Sequence, residues 1–125
     1  MKKILLVGLL ALVLIVAGCA GGGSDADVSG NLENEVRVIQ MRAFQFGFDP
    51  NPVIVNEGDK VKLVVTSTDV THGLSISEFG VNVKLFPGRP SIMDFTADKS
   101  GTYIFYCSVP CGAGHRSMRG RFIVR

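Results

Sequence analysis

Short β-branched and aromatic runs, separated by turn residues, fill the chain from Val36 to Arg125. Apolar and polar side chains alternate clearly over residues 60–63 and 81–84, as in strands that bury one face. Stretches rich in glycine, proline and aspartate lie between the runs, and no run keeps a helical period for two turns. About eight strands at this regular spacing predict an all-β Greek-key sandwich or small barrel.

The first residues have a different composition. Lys2 and Lys3 precede an apolar stretch, residues 4–18, that is shorter than the roughly 20 residues of a spanning helix. This order is typical of a secretory signal peptide, and the segment VAGC resembles the lipobox of bacterial lipoproteins. We therefore predict a lipoprotein-type signal peptide over residues 1–18 and lipidation of Cys19, which would anchor the domain on the extracytoplasmic side of the cell membrane. A plain signal peptide and an uncleaved anchor are the alternatives.

Residues 19–35 are rich in glycine and acidic residues, with few apolar side chains, which predicts a flexible tether ahead of a single domain over residues 36–125. The whole chain has 13 basic and 11 acidic residues. Without Lys2 and Lys3 the charges balance, so we expect no nucleic-acid partner.

The C-terminal end of the chain is basic. No acidic residue follows residue 98, and the five basic residues there are Lys99, Arg116, Arg119, Arg121 and Arg125. This charge predicts either a docking face for an acidic surface or a solvated edge strand that is protected by charge.

The most chemically distinctive segment is CSVPCGAGHRSM, residues 107–118, which contains two thiols, one imidazole and one thioether. Their spacing of i, i+4, i+8 and i+11 would place all four on one face of a helix. Pro110, Gly112 and Gly114 are poor helix residues, however. We therefore expect a loop between two strands.

Thiolates and thioethers are soft ligands that favour copper, and imidazole suits copper or zinc. A zinc site could use Cys-x3-Cys-x3-His, but zinc gives no reason for Met118. A disulfide between Cys107 and Cys111 is also possible in an exported protein, although it leaves His115 and Met118 unexplained. Ligand chemistry thus favours copper and leaves both alternatives open.

The other histidine, His72, stands in the segment TDVTHGLSI. From Asp69 to Val124 the chain resembles the binuclear copper (CuA) domain of cytochrome c oxidase subunit II, in the cupredoxin superfamily. The family's Cys-x3-Cys-x3-His-x2-Met pattern is intact, and the upstream histidine and a PGR segment stand in their expected places.

The resemblance implies a centre of two copper ions with a defined ligand set. It implies bridging thiolates from Cys107 and Cys111, imidazoles from His72 and His115, a weak axial thioether from Met118, and a backbone carbonyl from Val109.

The chain also departs from the family pattern. Subunit II usually has acidic or amide side chains at the positions of Val109 and, often, Lys84, where they help to hold a magnesium-type ion or face the catalytic subunit. Valine and lysine cannot do so. The chain has no tryptophan, and its copper loop is flanked by arginines rather than by an acidic patch.

The resemblance implies electron transfer, with the chain as a subunit II-like donor to a terminal oxidase or as a stand-alone respiratory carrier. We expect a redox partner, such as a cytochrome, a copper protein or an oxidase subunit, with an acidic docking face. Because protein side chains would fill every strong metal position, we expect no catalytic site within the chain itself. An extracytoplasmic copper-delivery protein and a metal-free, disulfide-stapled sandwich are the alternatives.

Overall fold

The computed structural model describes residues 27–125. The predicted signal peptide over residues 1–18 and the predicted lipidation site, Cys19, lie outside the described residues. Ten strands and two short 3-10 helices, Ser77–Phe79 and His115–Ser117, form this part of the chain. The strands are β1 (Asn31–Glu33), β2 (Val36–Phe44), β3 (Gly47–Asp49), β4 (Val53–Val55), β5 (Lys60–Ser67), β6 (His72–Ile76), β7 (Val81–Leu85), β8 (Ser91–Thr96), β9 (Gly101–Tyr106) and β10 (Arg119–Val124).

The strands form two sheets. One has the order β1-β2-β5-β8, with β3 also paired to β2, and the other has the order β4-β10-β9-β6-β7. The pairs β2–β5 and β4–β10 are parallel, and the remaining pairs are antiparallel. The predicted all-β sandwich is therefore confirmed.

The core lies between the two sheets, where the alternating apolar side chains meet. In β5, Val61 and Leu63 are buried while Lys60 is exposed, as the alternation predicts. Aromatic rings join the sheets: Phe48 contacts Phe105 edge to face, with ring centroids 5.2 Å apart. Such pairs add to the hydrophobic stabilisation from the buried area itself.

The folded part of the chain begins before Val36, so the predicted tether over residues 19–35 is wrong for its last residues. Strand β1 pairs with the beginning of β2, and Ser29 N donates to Ile54 O at 2.6 Å. All three side chains of β1 are exposed. Because burial imposes no apolar period on this strand, the sequence carries no signal of it.

One edge of the second sheet gathers the segments that carry the predicted metal ligands. Strand β6 begins at His72, β9 ends just before Cys107, and β10 begins just after Met118. These three strands are neighbours in the order β10-β9-β6 and run antiparallel. The beginning of β6, the end of β9 and the beginning of β10 therefore meet at the same edge.

The chain termini of the described part lie at the other end of β10. Arg125 Nη1 is 3.8 Å from Asp27 Oδ2, and Arg125 N donates to Val55 O at 3.1 Å. Among residues 27–125, no helix is both long and apolar enough to cross a membrane.

Candidate metal centre

The loop over residues 107–118 is closed at its base by the strands on either side. Cys107 N donates to Met118 O at 3.0 Å, which extends the β9–β10 ladder by one bond. Within the loop, His115 N donates to Gly112 O and Met118 N donates to His115 O, at 3.1 and 3.2 Å. The predicted loop is therefore found, with a single 3-10 turn over His115–Ser117.

Three sulfur atoms lie together inside this loop. Cys107 Sγ is 3.7 Å from Cys111 Sγ, and Cys111 Sγ is 3.7 Å from Met118 Sδ. The two cysteines are free thiols, and all three side chains are buried. The carbonyl oxygen of Val109 is 3.1 Å from Cys107 Sγ. Four of the six predicted ligands therefore surround one point.

The two imidazoles come from different segments of the chain. His115 lies in the loop itself, and His72 lies at the beginning of β6. His72 Nδ1 is 3.9 Å from Cys107 Sγ, and His115 Nδ1 is 3.7 Å from Cys111 Sγ. His72 is completely buried, whereas His115 is partly exposed. Each thiol thus has its own histidine, and in both cases the nitrogen facing sulfur is Nδ1.

These atoms fit a soft metal. The ligand atoms of His72, Cys107 and Cys111 all lie within 4.8 Å of one another. Thiolate, thioether and imidazole donors together favour copper over a hard cation. The structure therefore brings all six residues that the sequence singled out as metal ligands to one place.

Gly73 permits this close approach. A Cβ atom at Gly73 would lie only 2.2 Å from Ser108 Oγ. The Gly73 amide also points at the site, since its N donates to Cys107 Sγ at 3.4 Å.

A carboxylate orients the buried histidine. Asp69 Oδ1 lies 2.7 Å from His72 Nε2, which leaves Nδ1 free to face the thiol. Such contacts from outside the ligand set fix the tautomer and orientation of a metal-binding imidazole. Burial pushes the pKa of Asp69 upward, but hydrogen bonds from the Gln45 amide, His72 and the Val70 amide outweigh it and lower the pKa. The carboxylate is therefore ionised at neutral pH.

The thiol of Cys111 is protonated at neutral pH in the absence of metal. Burial, and then the neighbouring Cys107, raise the pKa of Cys111 to about 11. A metal must displace this proton, so that binding and deprotonation are linked.

A surface cavity of about 430 Å3 opens onto three of the predicted ligands, Cys107, His115 and Met118. Its lining residues are Tyr106, Cys107, Ser108, His115, Arg116, Met118 and Arg119. Two of the four C-terminal arginines, Arg116 and Arg119, therefore stand at the site, whereas Arg121 is exposed further along β10 and does not line the cavity.

Sequence reasoning missed two polar residues that contact the site, Asp69 and Gln45. Asp69 could have been found, because it stands three residues before His72 in the same turn. Gln45 lies far from both ligand segments in sequence, and no local pattern marks it.

Comparison with known proteins decides the family. Residues 31–124 match the family model described as cytochrome c oxidase subunit II, periplasmic domain. The chain belongs to this family. Its folded part is a CuA domain of cupredoxin type, as the resemblance implied.

The chain is similar in sequence to an oxidase subunit and also to a nitrous-oxide reductase. Cytochrome c oxidase subunit 2 of Thermus thermophilus is 36% identical over 87 residues, which cover 70% of this chain and 64% of that protein. Nitrous-oxide reductase of Stutzerimonas stutzeri is 36% identical over 95 residues, which cover 73% of this chain but 15% of that enzyme. The chain spans 64% and 52% of the length of two Thermus thermophilus relatives, so the match concerns one domain of those proteins.

Solved structures agree on the fold of this subunit II domain. A chain of a heme-copper terminal oxidase dimer superimposes with a TM-score of 0.67 and 28% identity, covering 79% of this chain and 73% of that one. The periplasmic domain of oxidase subunit II from Bradyrhizobium japonicum gives a TM-score of 0.68 over 76% of this chain and 88% of that one. At 22% identity the latter likeness concerns the fold alone.

The raised pKa of Cys111 predicts an unusual pH dependence of thiol labelling in the reduced, metal-free protein. Iodoacetamide reacts with the thiolate, so labelling should rise about tenfold per pH unit and level off only near a pKa of about 11. A cysteine in an unstructured peptide levels off near about 8.5. Peptide mass spectrometry would resolve the site, and levelling of Cys111 at the peptide value would contradict the prediction.

Proposed function

We propose that this chain is an extracytoplasmic electron-transfer domain that holds two copper ions and passes single electrons from a reduced donor to a terminal oxidase or another reductase. The observation that carries the proposal is the convergence of two thiols, two imidazoles, a thioether and a carbonyl at one edge of the sheet. Membership of the subunit II family supports the same function.

Copper would supply the one-electron chemistry, and the chain would supply a fixed set of donors. Cys107 and Cys111 stand between the two histidines, as thiolates must if they are to bridge two metals. Both thiols are buried, which limits their own contact with water. The β9–β10 ladder holds both ends of the loop, so the donors need move little when an electron arrives or leaves.

Two single-residue variants test the ligand roles. The purified domain should contain two coppers per chain and give a delocalised mixed-valence EPR spectrum. Cys111→Ser should abolish that spectrum, because it removes a bridge. Met118→Leu should keep both coppers and mainly shift the reduction potential, because axial ligation is weak.

Metal analysis and EPR of the wild type and the two variants would show whether Cys111 and Met118 have these ligand roles. One copper per chain that is readily lost would favour the alternative of a copper-delivery protein. Bound zinc, or equal loss of copper from both variants, would contradict the assigned roles.

We also propose that the domain is attached to the membrane through lipid on Cys19, after cleavage behind residue 18. The motif VAGC and the apolar stretch before it support this proposal. Stable attachment needs more than one acyl chain, as bacterial lipoproteins have.

Cys19→Ser should therefore leave the precursor unprocessed or release the domain from membranes. Fractionation of cells and the mass of the N-terminal peptide would measure both effects. Ala20→Ser is a matched control, because it makes a similar change beside the cysteine and should leave attachment intact. Correct cleavage and unchanged membrane association of the Cys19→Ser protein would place the anchor elsewhere.

The partner proposed for this domain is a redox protein with an acidic docking face. Arg116 and Arg119 line the cavity above His115, the more exposed of the two imidazoles. Within residues 27–125 no carboxylate forms an ion pair with either arginine. Among the described residues that line the cavity, these two are cations and none is acidic.

Charge reversal tests this docking. Electron transfer with an acidic partner should slow as salt rises, because salt screens charges over about 10 Å at 0.1 M. Arg116→Glu combined with Arg119→Glu should lower the second-order rate constant about tenfold or more at low salt. Stopped-flow kinetics at several ionic strengths would measure it.

Lys60→Glu combined with Lys62→Glu is the matched control, since it makes the same charge change in β5 of the other sheet. It should keep most of the wild-type rate. A rate constant that changes neither with salt nor with the arginine reversal would contradict this docking. These arginines would then serve only to protect a solvated edge strand by their charge.

A further inference from the structure

The turn between β2 and β3 touches both ligand-bearing segments of the site. Gln45 N donates to Asp69 Oδ2 at 2.6 Å. The side chain of the same residue reaches the other way, and Gln45 Nε2 donates to Cys111 O at 2.6 Å. One glutamine therefore bonds to residues 24 and 66 positions away from it in the chain.

These bonds form a continuous path between two ligands. His72 Nε2 is bound to Asp69, Asp69 is bound to the Gln45 amide, and the Gln45 side chain is bound to Cys111. His72 and Cys111 belong to different segments of the chain. A fixed spacing between them is what a shared metal site requires, because ligand positions set its geometry.

Packing places the turn against the loop. A Cβ atom added at Gly114 would lie 2.4 Å from Phe46 Cδ2, and one added at Gly112 would lie 2.8 Å from Gln45 Nε2. Gly112 also has φ of 136°, a conformation that residues with a side chain rarely adopt. The loop backbone thus fits directly beneath the turn, with no space for a side chain between them.

We infer that Gln45 is a positioning residue for the metal centre, one that ties the His72 segment to the Cys111 segment. The inference rests on the proposed function for its redox consequence. The Nε2–H groups also bring the positive end of an amide dipole close to Cys111. Removing that dipole favours the more positive, oxidised state of the site and so should lower its reduction potential.

Three substitutions separate the side-chain bond from other effects. Gln45→Ala removes the side chain, and Gln45→Glu keeps its length but cannot donate to the Cys111 carbonyl at neutral pH. In both variants the backbone amide that binds Asp69 remains. Gln40→Ala is the matched control, because Gln40 is an exposed residue of the adjacent strand β2.

The first measurement uses the reduced, metal-free full chain. A hydrogen bond of ordinary net strength corresponds to roughly a threefold to tenfold change in an opening equilibrium. Amide hydrogen exchange over residues 107–118 should therefore be about threefold to tenfold faster in both Gln45 variants than in Gln40→Ala. Equal exchange in all three variants would overturn the inference.

The second measurement uses the copper-loaded chain. Both Gln45 variants should lower the reduction potential and release copper to a chelator about threefold to tenfold faster, while Gln40→Ala should match the wild type. A loss of folding stability with an unchanged potential would show a merely structural role and overturn the inference. If the wild type fails to bind two coppers, the proposed function fails, and hydrogen exchange still decides whether Gln45 positions the loop.

Discussion

The pairing of β9 with β10 is the constraint on which the candidate metal centre depends. It holds Cys107 and Met118 side by side through one backbone hydrogen bond, so the ten residues between them must turn back within a short span. Glycines and a single 3-10 turn make that path possible. With its ends fixed by a sheet, the loop can direct several side chains to one point without an α-helix or a disulfide to hold them.

The third neighbouring strand, β6, completes the site from a distant part of the sequence. All five of its residues are buried, and it brings His72 to the cysteines while Gly73 lets the backbones approach. Fixed, buried donors suit a centre whose task is to gain and lose an electron with little rearrangement. The exposed side of the site, at His115 and the adjacent cavity, is where a partner can come close.

The parts of this structure that the sequence predicts are those with a local signal. Alternation in β5 indicated which side chains enter the core, and the spacing from Cys107 to Met118 marked the ligand loop. His72 carried no such signal, and only the family resemblance singled it out. Strand β1 was missed because its side chains are all exposed. Gln45 was missed because its contacts join distant segments, and such hydrogen bonds leave no periodic pattern in either one.

The contact between Asp27 and Arg125 marks the place where the N-terminal segment meets the sandwich. Strand β10 runs from Arg119, beside the ligands, to Val124, beside this contact, a distance of roughly 17 Å. The N-terminal segment therefore joins the sandwich at the end opposite the loop over residues 107–118. A domain held by that segment would have its metal loop at the end farther from the point of attachment, where the tether leaves it accessible.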